Sequence, residues 1–140
     1  MNIAPIDKYL KHRAIISSIN YNQNDGPYSF NTDVKALSLG KSTWDQSVIS
    51  AKVWRHSKEK WNRASEELPL HRVLDLTILI LSASIAKGEK YENYFLDLKI
   101  VDQDNLYMVR DYLMHNKIHL HERLQEINLL LMKYFEDNPI

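Results

Sequence analysis

Glu66-Glu67-Leu68-Pro69-Leu70-His71-Arg72-Val73-Leu74-Asp75, running on into Leu76-Thr77-Ile78-Leu79-Ile80-Leu81-Ser82-Ala83-Ser84-Ile85, is where the periodicity of this chain changes. Pro69 suits the first turn of a helix, where its missing N–H costs nothing, and Glu66 and Glu67 would lie near the positive end of that helix dipole. Gly88 closes the segment, so a helix is predicted over 69–86. Leu76, Ile78, Leu79, Ile80, Leu81, Ala83 and Ile85 leave no wide polar face, which predicts a central helix buried by protein on most sides.

Upstream the pattern is strand-like. Asn22-Gln23-Asn24-Asp25 followed by Gly26-Pro27 reads as a turn, because Gly tolerates positive φ and Asn and Asp bond their own backbone. On either side lie 12–21, 34–39 and 48–54, rich in β-branched and aromatic residues. In the last of these, Ile49, Ala51 and Val53 alternate with Ser50, Lys52 and Trp54, a half-buried strand. Two or three strands are expected in this half.

Downstream, Leu96, Leu98 and Ile100 share a face if 94–101 is a strand, the preferred reading, with a helical turn as the alternative. From Asp104 the pattern is helical. Leu120, Leu124, Ile127, Leu131 and Tyr134 follow at spacings of four, three, four and three, a heptad-like seam. Asn116 or Lys117 is the only place suited to a break, and one long helix and a helical hairpin both stay open. The fold class is therefore α+β: one domain over 1–140, with a small, mostly antiparallel sheet packed against a buried central helix and a C-terminal helical region.

Composition narrows the chemistry. The chain has 140 residues, a size for one domain, and 44% hydrophobic and 26% charged residues exclude disorder as the whole answer. With no cysteine there is no disulfide, thiolate metal site or cysteine nucleophile, which fits a cytoplasmic setting. Residues 1–10 lack the apolar run of a signal peptide. Leu76 to Ala86 is far shorter than the roughly 20 residues that cross a bilayer, so no membrane association is expected. Residues 1–65 hold ten Lys and Arg against five Asp and Glu, and 66–140 hold eight against thirteen. The balance of charge concerns partners rather than fold.

Familiar catalytic signatures fail. Gly40-Lys41-Ser42 ends like a phosphate-binding loop, but position 35 is Lys where that motif needs Gly. Neither a nucleophile elbow nor a zincin helix is present. Three constellations remain. On a helix His71 and Asp75 share a face, with Arg72 beside them, which would give a base, an orienter and a cation, helped by Glu66 or Glu67. The plain alternative is that Asp75 and Arg72 tie the helix start to backbone. His115, His119 and Glu122 form one helical stripe with His121 adjacent, expected to be a solvated polar face with no metal and no cofactor. Trp54, Arg55, Lys58, Lys60, Trp61 and Arg63 interleave bases with indoles, as phosphate contacts and base stacking require. There the alternative is that Trp54 belongs to the core face of its strand.

Trp44-Asp45, Lys52-Val53-Trp54-Arg55-His56, Trp61-Asn62-Arg63 and Ser65-Glu66-Glu67-Leu68-Pro69-Leu70-His71-Arg72-Val73-Leu74-Asp75-Leu76 resemble the central block of a family of small bacterial proteins of unknown function. The resemblance implies a bacterial or phage setting and assigns no catalytic role. The leading functional expectation is a non-catalytic protein that binds another protein, of inhibitor, immunity or adaptor type. The alternatives are nucleotide or nucleic-acid binding through the basic and aromatic patch, and a small acid–base enzyme using His71, Arg72 and Asp75. Ile118, Leu129, Leu130 and Met132 widen the apolar surface of the last helix beyond its seam, so a homodimer with Leu130 near the interface is expected, the alternative being a helix enclosed within the protomer.

Overall fold

A computed structural model of the chain describes residues 12–18, 20–57, 60–61, 66–85, 95–96 and 98–139. The fold is α+β. Five strands, β1 (Arg13–Ser17), β2 (Val34–Lys41), β3 (Ile49–Ser57), β4 (Lys60–Trp61) and β5 (Glu66–Pro69), precede the helices α1 (Leu70–Ile85), α2 (Leu106–His115) and α3 (Lys117–Asp137). All pairings are antiparallel: β1 on β2, β2 on β3, and then β5 and β4 in tandem along the far side of β3. The chain divides into two compact units, Met1–Ile80 and Leu81–Ile140.

The alternation expected in β3 is present, and the enclosed side is the one that carries Trp54. Ser50, Lys52 and Trp54 are buried, whereas Ile49 is 41% exposed. β2 matches it, with Val34, Ala36, Ser38 and Gly40 buried between outward-facing neighbours. Trp54 supplies the largest area on that side and packs in a cluster with Ala14 and Ala36. The opposite side, with Leu37, Leu39, Ala51, Val53 and Leu68, is half-open and forms a groove of about 460 Å³. Strand alternation tells which residues share a face and not which face is covered.

β1 carries a bulge between Ala14 and Ile16, and Ala14 pairs with Gly40. The backbones approach so closely there that a Cβ on Gly40 would lie 2.0 Å from the carbonyl oxygen of Arg13. Only glycine fits. The turn read at Gly26-Pro27 is present as a 3-10 turn, Gly26–Tyr28, with Gly26 at φ 54. It follows a first 3-10 turn at Tyr21–Gln23.

Three expectations need correction. Pro69 ends β5 instead of opening the helix, so Glu66 and Glu67 belong to a strand and do not serve the helix dipole. The central helix forms almost where predicted, yet it is not the buried element: Ser82 is its one buried residue, and Leu74 and Ile85 are 64% and 72% exposed. Apolar residues on every side of a helix can be buried only if protein meets every side, and the sheet draws its core from its own strands. Among the described residues 95, 96 and 98–101 none is in a strand. The C-terminal region is two helices, broken at Asn116, whose N–H bonds the Tyr112 and Met114 carbonyls.

Gly40→Ala is expected to destabilise the first unit by about 1–3 kcal/mol, the cost of forcing atoms into a filled site. Urea denaturation checks this, and an unchanged midpoint would contradict the close crossing of β1.

Candidate functional site

The buried side of the sheet holds a chain of hydrogen bonds drawn from four segments. His12, just before β1, is 1% exposed, and its imidazole reaches β2, β3 and β5. Its Nε2 is 3.0 Å from Ser38 Oγ, and its Nδ1 is 2.9 Å from Ser50 Oγ and 3.2 Å from Glu67 Oε2. Trp54 Nε1–H donates to Ser38 Oγ at 2.7 Å, and Ser50 Oγ donates to Glu67 Oε2 at 2.6 Å. Thr43 completes the carboxylate shell, giving its N–H to Oε2 at 2.9 Å and its hydroxyl to Oε1 at 2.5 Å.

One proton arrangement satisfies all these groups. Indole can only donate, so Ser38 accepts from Trp54 and is free to donate to His12 Nε2. The imidazole then carries its proton on Nδ1, which donates toward Ser50 and Glu67. Ser50 donates its own O–H to the carboxylate. Polarity runs in one direction from indole to carboxylate, leaving His12 neutral and Glu67 charged. Burial lowers the His12 imidazole below its ordinary 6.5, outweighing the upward pull of Glu67, and Lys52 adds to the lowering. For Glu67, burial acts to raise the carboxyl, but hydrogen bonds from Ser50, Thr43 and His12 hold it below its ordinary 4.5. Lys52 lies on the same side with Nζ 4.0 Å from the centre of the Trp54 ring, and burial lowers its ammonium against the pull of Glu67. The imidazole also meets that indole edge to face, with centroids 5.7 Å apart.

Ser38, His12 and Glu67 have the connectivity of a hydroxyl–imidazole–carboxylate relay. The Ser38 hydroxyl, however, is enclosed: the residue is 6% exposed, with Trp54 N–H on one side and the imidazole on the other. Its groups are spent on one another. What the arrangement does physically is fasten the lead into β1 to β2, β3 and β5.

The sequence-selected residues lie elsewhere. His71 and Arg72 are exposed on α1 and Asp75 is half-buried, and no hydrogen bond joins the three. Trp54 is enclosed in the core, which removes its ring from stacking on a base. Arg55 is held by Asp33 at 2.6 Å and by Glu66 at 2.6 Å. Lys60 and Trp61 form β4 opposite Ser57 and His56, while Lys58 and Arg63 fall outside the described residues. His115 and Glu122 are exposed, His119 is half-buried, and His115 Nδ1 lies 2.6 Å from the Asp111 carbonyl oxygen. Among the described residues no three His, Asp or Glu side chains gather as a metal site. No helix among them is long and apolar enough to cross a membrane. Glu67 stands just before Pro69, where the pattern suggests a helix start, and His12 lies 55 residues from it, a separation that no local spacing reveals.

These features define a small α+β protein whose sheet is organised around a buried polar relay. The chain belongs to a family of unknown function, DUF6530, whose model matches residues 1–104. The resemblance of the Trp44 to Leu76 block to a family without an assigned activity is thereby borne out. No curated protein and no solved structure matches the chain. The family match spans the sheet and α1 and stops before α2.

Stability is expected to fall on acidification in two stages. His12 binds its proton less readily when folded, so the unfolded chain is protonated first as pH drops through the ordinary 6.5, and stability is lost there. A second loss follows below the ordinary carboxylate value of 4.5, as Glu67 is forced to protonate. Urea midpoints from pH 8 down to about pH 3 measure both, the window reaching below the ordinary Glu value. Glu67→Ala, which strands the buried donors of His12 and Ser50, should cost about 3–5 kcal/mol at neutral pH. A flat pH profile or a neutral variant would show that the relay does not hold the sheet.

Proposed function

We propose that this is a non-catalytic binding protein that works through protein–protein contact, with α3 as its contact surface and a second copy of the chain as a partner. The observation that carries this reading is the exposure of α3. Leu131 and Tyr134 in the heptad seam are 46% and 58% exposed, and Leu130 and Phe135 beside them are each 56% exposed. With Ile127 they make a broad apolar stripe over the last turns of a 21-residue helix. A helix carrying apolar residues at the seam and at both flanking positions gains by pairing with another helix. Large apolar patches of this kind are uncommon on chains that stay monomeric. The motif failures in the sequence and the enclosure of the relay hydroxyl support a binding role over catalysis.

Light scattering at micromolar concentration tests the proposal. A doubled mass is expected, falling toward 16.5 kDa in Leu130→Lys with the melting temperature of the first unit retained. A mass near 16.5 kDa for the natural chain would overturn the self-pairing. An adaptor reading without self-pairing would then need a partner captured by the natural chain and lost in Leu130→Lys.

A further inference from the structure

A second concave site lies away from the polar relay, wholly within the first unit, and is independent of the helical surface. Tyr21 and Tyr28, from the two 3-10 turns, line a cavity of about 560 Å³ together with Asp25, Asp33, Arg55 and Glu66. Val34, Leu37 and Val53 add apolar lining. That volume is within the range of small-molecule sites, roughly 300–1,000 Å³.

The charges in the cavity select the ligand. Arg55 is engaged on both sides: Nη1 pairs with Asp33 at 2.6 Å and Nη2 with Glu66 at 2.5 Å. The lone guanidinium is therefore already committed to two carboxylates. Asp25 is a third, half-buried, and among the described residues its carboxylate has no hydrogen-bond or ion-pair partner. Three carboxylates against one guanidinium repel an anion and favour a cation. The two phenol rings add faces that attract a positive charge and cover its apolar attachments. We propose that this cavity binds a small organic cation, an ammonium or guanidinium group carried on an apolar body. Asp25 pairs with the charge, Tyr21 and Tyr28 flank it, and the apolar body rests on Val34, Leu37 and Val53.

Calorimetric titration of the full chain with phenethylammonium and benzylguanidinium tests this, with 2-phenylethanol and 3-phenylpropionate as neutral and anionic counterparts. Saturable binding of at least one cation is expected, weakened by added salt, with the neutral and anionic compounds weaker by about tenfold or more. Asp25→Asn should weaken the cation by about tenfold and leave the melting temperature unchanged. Failure of both cations to saturate, equal binding of 3-phenylpropionate, or unchanged affinity in Asp25→Asn would overturn the proposal. Should Asp25→Asn lower the melting temperature, Tyr28→Leu takes its place. A folded Tyr28→Leu that binds the cation as tightly as the natural chain overturns the proposal equally.

Discussion

An imidazole removed from water needs a partner on each nitrogen, and the sheet is arranged around meeting that need for His12. Ser38 serves one nitrogen and Ser50 with Glu67 the other, and these come from three different strands. Each group is buried only because the next is present, so the network is cooperative in the strict sense that removing one member leaves others unpaired. The surrounding residues are small to make room. Ala14, Ala36 and Gly40 line the same side, and Trp54 covers what they leave open.

That requirement also explains an unusual division of the sheet. The enclosed side carries serines, a histidine, a lysine and a glutamate, whereas aliphatic residues such as Leu37, Leu39 and Val53 occupy the half-open side. Hydrophobic burial still contributes through Trp54, but the specificity of strand pairing comes from polar geometry. A slip of one residue in β2 would turn Ser38 away and bring Leu37 against the imidazole, a change that no side-chain rotation repairs. Register is therefore held by hydrogen bonds where many sheets hold it by apolar fit.

Much of the architecture was readable from local pattern. The strands around 34–39 and 48–54, the turn at Gly26-Pro27, the helix near 69–86 and the break at Asn116 all follow from period and punctuation, which act over a few residues. What pattern could not carry was the choice of inside and outside. In β3 the alternation left open which set is enclosed: Ser50 finds its partners in His12 and Glu67, from distant segments, and Lys52 lies over the ring of Trp54 in its own strand. Glu67 was placed at a helix start because Pro69 fits either role, and only pairing of β5 with β3 decides between them. His71, Arg72 and Asp75 drew attention by helical spacing, yet spacing alone supplies neither enclosure nor a pocket.

The sequence separations within the relay bear on how the chain reaches this state. The contacts of His12 with Ser38, Ser50 and Glu67 span 26, 38 and 55 residues. Nothing in the network is rewarded until these long loops have closed, so its chain entropy is spent before its hydrogen bonds form. The second unit is the reverse: α2 and α3 consist of bonds between residues four apart, joined through one residue at Asn116. Contact order therefore separates the two units in time, with helix formation complete on the microsecond scale while the sheet is still assembling. During synthesis the order is the opposite, because every member of the relay leaves the ribosome before α2 begins. Vectorial emergence thus gives the slow unit a head start over the fast one.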